Sequence, residues 1–324
     1  MMLGRKQINI LVIKTDSLSG FIAAEPAFEN IRQHHDQARI SLLTIPSLQR
    51  IARASSFFDQ VAAMPNLRDG ETRKQFVRQL KATKFERVYD LSGDESGRCL
   101  HSAMGLFRPK WFMASPSKSK MRGKPVGSAS ADLSTLFADA GLDEPARLPN
   151  LSWAIEARKD SANMKPAWYG VTTPFGLLLP GLDESRRWSA AGYARLASLM
   201  AQTGYMPVLA GPKELHGFGD MIAHDAPQVV DLAGKTDHLQ LAALAREAAF
   251  FVSDDAEEMQ LAVSVGCQGV MIAENKNSVA APTGRHVVTL RFNQDPDTIE
   301  PEFIWRALTN MGLTVPSPDQ AISA

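Results

Sequence analysis

The chain repeats one pattern along most of its length: a short apolar run, a polar loop, then a stretch whose apolar residues recur at helical spacing. The first instance is Ile8-Asn9-Ile10-Leu11-Val12-Ile13-Lys14, then Thr15-Asp16-Ser17-Leu18-Ser19-Gly20, then Phe21 to Phe28. It reads as a buried strand, a loop and a helix, the first half of a β-α-β unit. A helix from Pro26 to His34 and a strand from Ala38 to Thr44 complete the unit. Apolar runs alternating with amphipathic stretches need both sheet faces covered, so the fold class is α/β with parallel, doubly wound sheets. Ligands in such folds gather at the loops that follow strand carboxyl ends, which makes residues 15–20 the first place to look for function.

The pattern continues with a helix over 47–54, a strand at Gln60–Met64, and a helix over Gly70–Thr83 carrying Phe76, Val77 and Leu80. A strand at Phe85–Leu91 then ends in Ser92-Gly93-Asp94. Pro145 to Ala167, rich in Pro, Ala and charge, reads as an interdomain stretch. Beyond it the pattern restarts. Strands are expected at 176–180, 206–211, 228–232, 249–253 and 269–273, with helices over 189–203, 214–224, 239–247 and 259–266. The last helix, over 301–311, carries Phe303, Ile304, Trp305 and Leu308. A chain of 324 residues exceeds what one core usually serves. The expectation is two Rossmann-like domains facing a cleft, 1–160 and 161–324, with the last helix free to pack back toward the first.

Composition excludes several functions. Lys plus Arg equals Asp plus Glu at 35 each, so the charge balance favours neither nucleic acid nor an anionic membrane. Cys99 and Cys267 are too few for a disulfide framework and read as small buried hydrophobes. The seven histidines show no metal or triad arrangement, and His238 reads as a surface residue; no metal or cofactor is implied. No Gly-x-Gly-x-x-Gly follows the first strand, which argues against a dinucleotide-dependent oxidoreductase. With no signal peptide and no long apolar run, the expected location is the cytoplasm, with room for a peripheral contact with the inner membrane. Ser115 to Ser130 places Lys118, Lys120, Arg122 and Lys124 among small residues. This reads either as a solvated loop or as a cationic flap for an anionic, acceptor-type ligand.

Six short motifs, taken together, resemble glycosyltransferase family 9, the ADP-heptose:lipopolysaccharide heptosyltransferases. They are Ile10–Lys14 with Asp16-Ser17-Leu18, Tyr89–Gly93, Pro180-Gly181 followed by Arg186-Arg187-Trp188, Val208–Gly211, Asp231–Thr236, and Ser253-Asp254-Asp255 running into Leu261-Ala262. The resemblance implies a GT-B fold and an inverting sugar transfer from a nucleotide diphosphate to a hydroxyl on an envelope glycan. The first domain would hold the anionic glycan or glycolipid acceptor and the second the nucleotide sugar. Such chemistry needs a carboxylate to take the hydroxyl proton, and cations or helix amides for the departing diphosphate.

The chain departs from the family at both places. The family's first loop ends Leu-Gly-Asp, and here Leu18-Ser19-Gly20 puts glycine at the proton-accepting position. Asp16 and Asp94 are the candidate replacements. Glu95 stands beside Asp94, and Glu25 lies five residues along the helix, about 140° away. Solvated or capping roles are the plain reading of all four acids. In the donor half the family's Asp-[Ser/Thr]-Gly-Pro-Met-His becomes Asp255-Ala256-Glu257-Glu258-Met259-Gln260. Two acids there suit a helix dipole but oppose a diphosphate, unless a divalent cation intervenes. Pro180, Gly181, Arg186 and Arg187 keep the family's donor-side character. Lys235 could reach a phosphate, and Thr236 reads first as a helix cap. Two functions follow: an altered glycosyltransferase, or a non-catalytic GT-B relative that binds a glycan, a nucleotide or a protein partner.

Overall fold

The computed structural model describes residues 7–106, 108–115, 133–145, 147–172, 174–275 and 287–314. The chain separates into two compact units between Ala154 and Ile155.

The first unit runs β1 (Asn9–Lys14), α1 (Leu18–Ala23), α2 (Glu25–His34), β2 (Arg39–Thr44), α3 (Gln49–Arg53), β3 (Gln60–Ala63), α4 (Gly70–Thr83), β4 (Arg87–Asp90), α5 (Glu95–Met104), β5 (Lys110–Met113), α6 (Ser134–Ala140) and α7 (Ser152–Glu156), the last crossing the boundary. Its five strands are ordered β3-β2-β1-β4-β5, all parallel. Leu11 and Ile13 of β1 join Leu43, Val77, Leu80, Val88 and Leu100 in one core cluster. Ile10 and Val12, which point to the opposite face, are also fully buried. The unbroken apolar run of β1 is therefore that of a strand covered on both faces.

The second unit runs β6 (Phe175–Leu179), α8 (Ala190–Gln202), β7 (Met206–Leu209), α9 (His216–Asp225), β8 (Val230–Asp231), α10 (His238–Glu247), β9 (Phe250–Ser253), α11 (Ala256–Ser264), β10 (Gly269–Glu274), β11 (Val287–Phe292) and α12 (Pro301–Asn310). Its six parallel strands are ordered β11-β10-β9-β6-β7-β8. Ile304, Trp305 and Leu308 of α12 are fully buried in this unit's own core, where Trp305 meets Tyr205 and Phe250 edge-on. Each such side chain contributes about 1.5–3 kcal/mol of burial. The apolar stripe of the last helix is thus satisfied within its own unit.

The sequence reading assigns no strand to β5 or β11. Both are edge strands paired on one side only. β11 is half-buried along most of its length, so the continuous apolar signature of a central strand is absent. Residues 18–34, read as one loop and one helix, form two helices; Ser17 caps the first by accepting from Gly20 N. Cys267 is buried, whereas Cys99 is only half-buried, on α5.

In each sheet the chain turns back at one place, between β1 and β4 and between β6 and β9. These are the topological switch points, where strand ends splay their loops apart.

Candidate functional site

At the first switch point, β1 and β4 deliver Lys14 and Asp90 side by side, with Ile13 registered against Asp90. Lys14 is fully buried, and its ammonium donates to Asp16 Oδ2 at 3.0 Å and to the Leu91 carbonyl at 3.1 Å. Asp16 Oδ1 is buried with no hydrogen-bond partner. A Cβ on Gly20 would overlap Asp16 Oδ2, so glycine at position 20 is what makes room for this carboxylate. Thr15 ties the two loops together: its N–H donates to Ser92 Oγ at 2.7 Å, and its hydroxyl donates to Asp94 Oδ2 at 2.8 Å. Asp94 Oδ1 caps α5 by accepting from Gly97 N at 2.9 Å, so both Asp94 oxygens are engaged. Asp90 accepts from the amides of Ser92 and Gly93, yet its other oxygen is buried without a partner. Burial pushes its carboxyl up to about 6, with the Asp94 charge adding to the rise.

Beside this loop lies a pocket of about 300 Å³, wholly within the first unit. Lys14 and Gly20 border it, with Ala23 and Ala27 of the first two helices, Phe137 of α6, and Glu144. Pro145 borders it too, and residues 147–153, further along the chain, are fastened to α2 by Glu25. The Glu25 carboxylate is completely buried and accepts two bonds of 2.7 Å from Arg147. It also accepts from Asn150 N and Trp153 Nε1, each at 3.1 Å. The solvated or capping role expected of Glu25 is therefore corrected. It is a buried anchor, because α2 turns its first residue inward and the partners arrive from far along the chain. The first part of the stretch read as interdomain, around residues 147–153, is thereby bound to the first unit.

At the second switch point, Ser253 Oγ donates to the Leu179 carbonyl at 2.9 Å and so joins β9 to β6. Asp254 accepts from Gly181 N and, at 2.7 Å, from Trp188 N, pinning both ends of the loop between β6 and α8. Burial pushes the Asp254 carboxyl up to about 7, despite those donors. Asp255 caps α11: its Oδ1 accepts from Glu257 N at 2.6 Å and from Glu258 N at 3.3 Å. Two amides of the helix's first turn, those of Glu257 and Glu258, are therefore bonded within the chain. Burial, followed by the charge of Asp255, holds the Glu258 carboxyl well above its usual range. Trp188 is buried against Tyr193, and Arg187 lies 4.0 Å from the Phe218 ring centroid while donating to the Gly181 carbonyl. Arg186 is held by Asp183, at 2.7 Å from its Nε.

The residues expected at the donor side are thus only partly gathered. Pro180, Gly181, Arg187, Asp255, Ala256, Glu257 and Gln260 stand on the two loops or the first turns at this switch point. Lys235 and Thr236 follow β8, two strands from β6, and the Lys235 ammonium donates to the Asp231 carbonyl at 2.6 Å. Thr236 is not the cap of α10. Asp237 is, in a reciprocal capping box with Gln240, and the Asp-x-x-Gln spacing carried that signal. Asp254 was missed as the organiser of this site. An acid between two strand-end residues looks the same in sequence whether it is buried or solvated. Lys118, Lys120, Arg122 and Lys124 lie outside the described residues. Among the described residues no group of three or more metal-ligating side chains occurs, and no helix is long and apolar enough to cross a membrane.

A family model, glycosyltransferase family 9 (heptosyltransferase), matches residues 73–272, well over half of the chain. The matched span begins in α4, so it contains the second switch point but not the loop at 15–20. Among solved structures, the E. coli ADP-heptose LPS heptosyltransferase II superposes with a TM-score of 0.74 at 16% identity, covering 94% of this chain and 98% of that one. A family 9 glycosyl transferase from Veillonella parvula gives 0.72 at 16% identity, covering 94% and 97%. The E. coli heptosyltransferase WaaC, solved with ADP-2-deoxy-2-fluoro heptose, gives 0.72 at 15% identity, covering 94% and 100%. At these identities the likeness is one of fold, the two parallel-sheet α/β units of the GT-B class. No curated protein matches the chain by sequence.

Proposed function

Because this chain belongs to glycosyltransferase family 9, we propose that it transfers a sugar from a nucleotide diphosphate to a hydroxyl of an envelope, lipopolysaccharide-type glycan, with Asp16 taking the proton. One observation carries this reading. The Asp16 carboxylate fills the space beside Gly20, with one oxygen fixed by buried Lys14 and the other unbonded. A carboxylate so placed is where a side chain at position 20 would otherwise project. The side chain is 19% exposed, so an acceptor hydroxyl can reach the carboxylate, while Lys14 holds its orientation. Asp94 is the weaker candidate, since Thr15 and Gly97 engage both of its oxygens.

In the transfer, the acceptor oxygen bonds to the anomeric carbon as its proton passes to Asp16. The bond from that carbon to the diphosphate oxygen breaks, and the nucleoside diphosphate leaves with the electron pair. The acceptor is assigned to the first unit and the donor to the loops at the second switch point, on the cytoplasmic face of the envelope membrane.

The second reading, a non-catalytic glycan-, nucleotide- or protein-binding relative, has an observation of its own. Two α11 amides that would meet a diphosphate are bonded by Asp255, and Glu257 adds negative charge there. Binding and hydrolysis of ADP-, UDP- and GDP-sugars separate the two. Turnover of any of them overturns the non-catalytic reading, and no nucleotide binding at millimolar concentration overturns the enzyme.

A further inference from the structure

The pocket beside Gly20 has a size, a lining and a charge that together select a ligand class. At about 300 Å³ it lies at the small end of ligand-binding cavities, with room for a single ring and little more. Ala23, Ala27 and Phe137 give it an apolar side, suited to the C–H face of a pyranose. Lys14 and Glu144 add a donor and an acceptor for hydroxyls. The Lys14 charge is already balanced by Asp16 at 3.0 Å, which leaves Glu144 as the uncompensated charge of the lining.

We propose that this pocket seats one neutral sugar ring and disfavours a sugar acid. Lys14 borders the pocket, and Asp16 at 3.0 Å already neutralises its charge, so it adds little net attraction for a carboxylate or phosphate. Glu144 repels an anion in the pocket and accepts hydrogen bonds from the hydroxyls of a neutral ring. Ala23, Ala27 and Phe137 are carried by α1, α2 and α6, so that part of the lining is formed before a ligand arrives. This inference rests on the reading that the first unit takes the acceptor, and it adds the charge class of the sugar unit that enters.

The test is titration of the full chain, without nucleotide, with methyl mannopyranoside, methyl glucopyranoside and methyl glucuronide, followed by saturation-transfer NMR. The neutral glycosides are expected to bind in the millimolar range, and the glucuronide about tenfold more weakly. Glu144→Gln is expected to remove most of that difference while changing neutral binding little. Ala23→Phe, a change at an exposed position that fills the pocket, is expected to abolish neutral binding with the thermal transition unchanged. Absence of neutral binding, glucuronide binding as tight as the neutral glycosides, or neutral binding that survives Ala23→Phe would each overturn the proposal. Because no donor is present, a failed sugar-transfer assay leaves this result standing, and failed glycoside binding counts against the pocket alone.

Discussion

Replacing Gly20 with alanine probes the packing on which the first site depends. A Cβ at position 20 overlaps Asp16 Oδ2 and comes within 2.7 Å of its Cγ and 3.0 Å of Oδ1. Asp16 must swing away, and Lys14, 2% exposed, loses its carboxylate partner while keeping the Leu91 carbonyl. Breaking a buried pair costs about 3–5 kcal/mol when the abandoned charge cannot escape. The Asp16 side chain is 19% exposed and can reach water, so about 2–3 kcal/mol applies here. Alanine recovers up to about 1 kcal/mol over glycine inside a helix, leaving a net loss of about 1–2 kcal/mol. In an Asp16→Ala background the clash is gone, and the same Gly20→Ala change becomes neutral or stabilising by up to about 1 kcal/mol. The coupling between the two positions is therefore about 2–3 kcal/mol. Hydrogen exchange of β1 and β4 peptides reads the opening free energy of this unit in all four variants. Effects that add to within about 0.5 kcal/mol would refute the claim that glycine is there to admit Asp16.

Three further outcomes follow from the same geometry. Asp254, at about 7 in the fold against an ordinary 3.8, contributes stability that is full below pH 4 and lost as the pH rises through 7. Urea unfolding of the second unit between pH 5 and 7.5 should therefore show falling stability, with a slope about one proton shallower in Asp254→Asn; equal slopes contradict this. Arg147→Ala strands the buried Glu25 carboxylate and should cost about 3 kcal/mol, more than Glu25→Gln, with faster exchange across residues 147–154. Replacing Glu257 with glycine should tighten ADP binding by about tenfold at low salt, an effect reduced at high salt in calorimetric titration. Unchanged affinity would mean that this acid does not face the nucleotide.

The fold was legible because central strands and helices announce themselves locally. The unbroken run in β1, the Phe76-Val77-Leu80 spacing of α4 and the Ile304-Trp305-Leu308 stripe of α12 each demand burial of a particular face. Edge strands carry no such demand, and β5 and β11 went unread. The site was legible in outline, since the motifs at 180–181 and 253–255 do meet at one switch point. What sequence could not supply was distance. Whether Asp16 is free or held depends on Lys14, Gly20 and Leu91 arriving together. Whether Glu25 is solvated depends on Arg147 and Trp153, more than a hundred residues away. Asp94 looked like Asp16 in sequence, and only the hydrogen bonds to both of its oxygens mark it as a cap.

The most direct test of the account is nucleotide-sugar turnover in Asp16→Asn, measured against wild type and Asp94→Asn with a neutral glycoside as acceptor. The account predicts that Asp16→Asn lowers turnover by about 10²-fold or more, as loss of a general base does. Asp94→Asn should stay close to wild type, because asparagine preserves the cap of α5. Turnover undiminished in Asp16→Asn, or lost in Asp94→Asn alone, would contradict the claim that Asp16 is the proton acceptor.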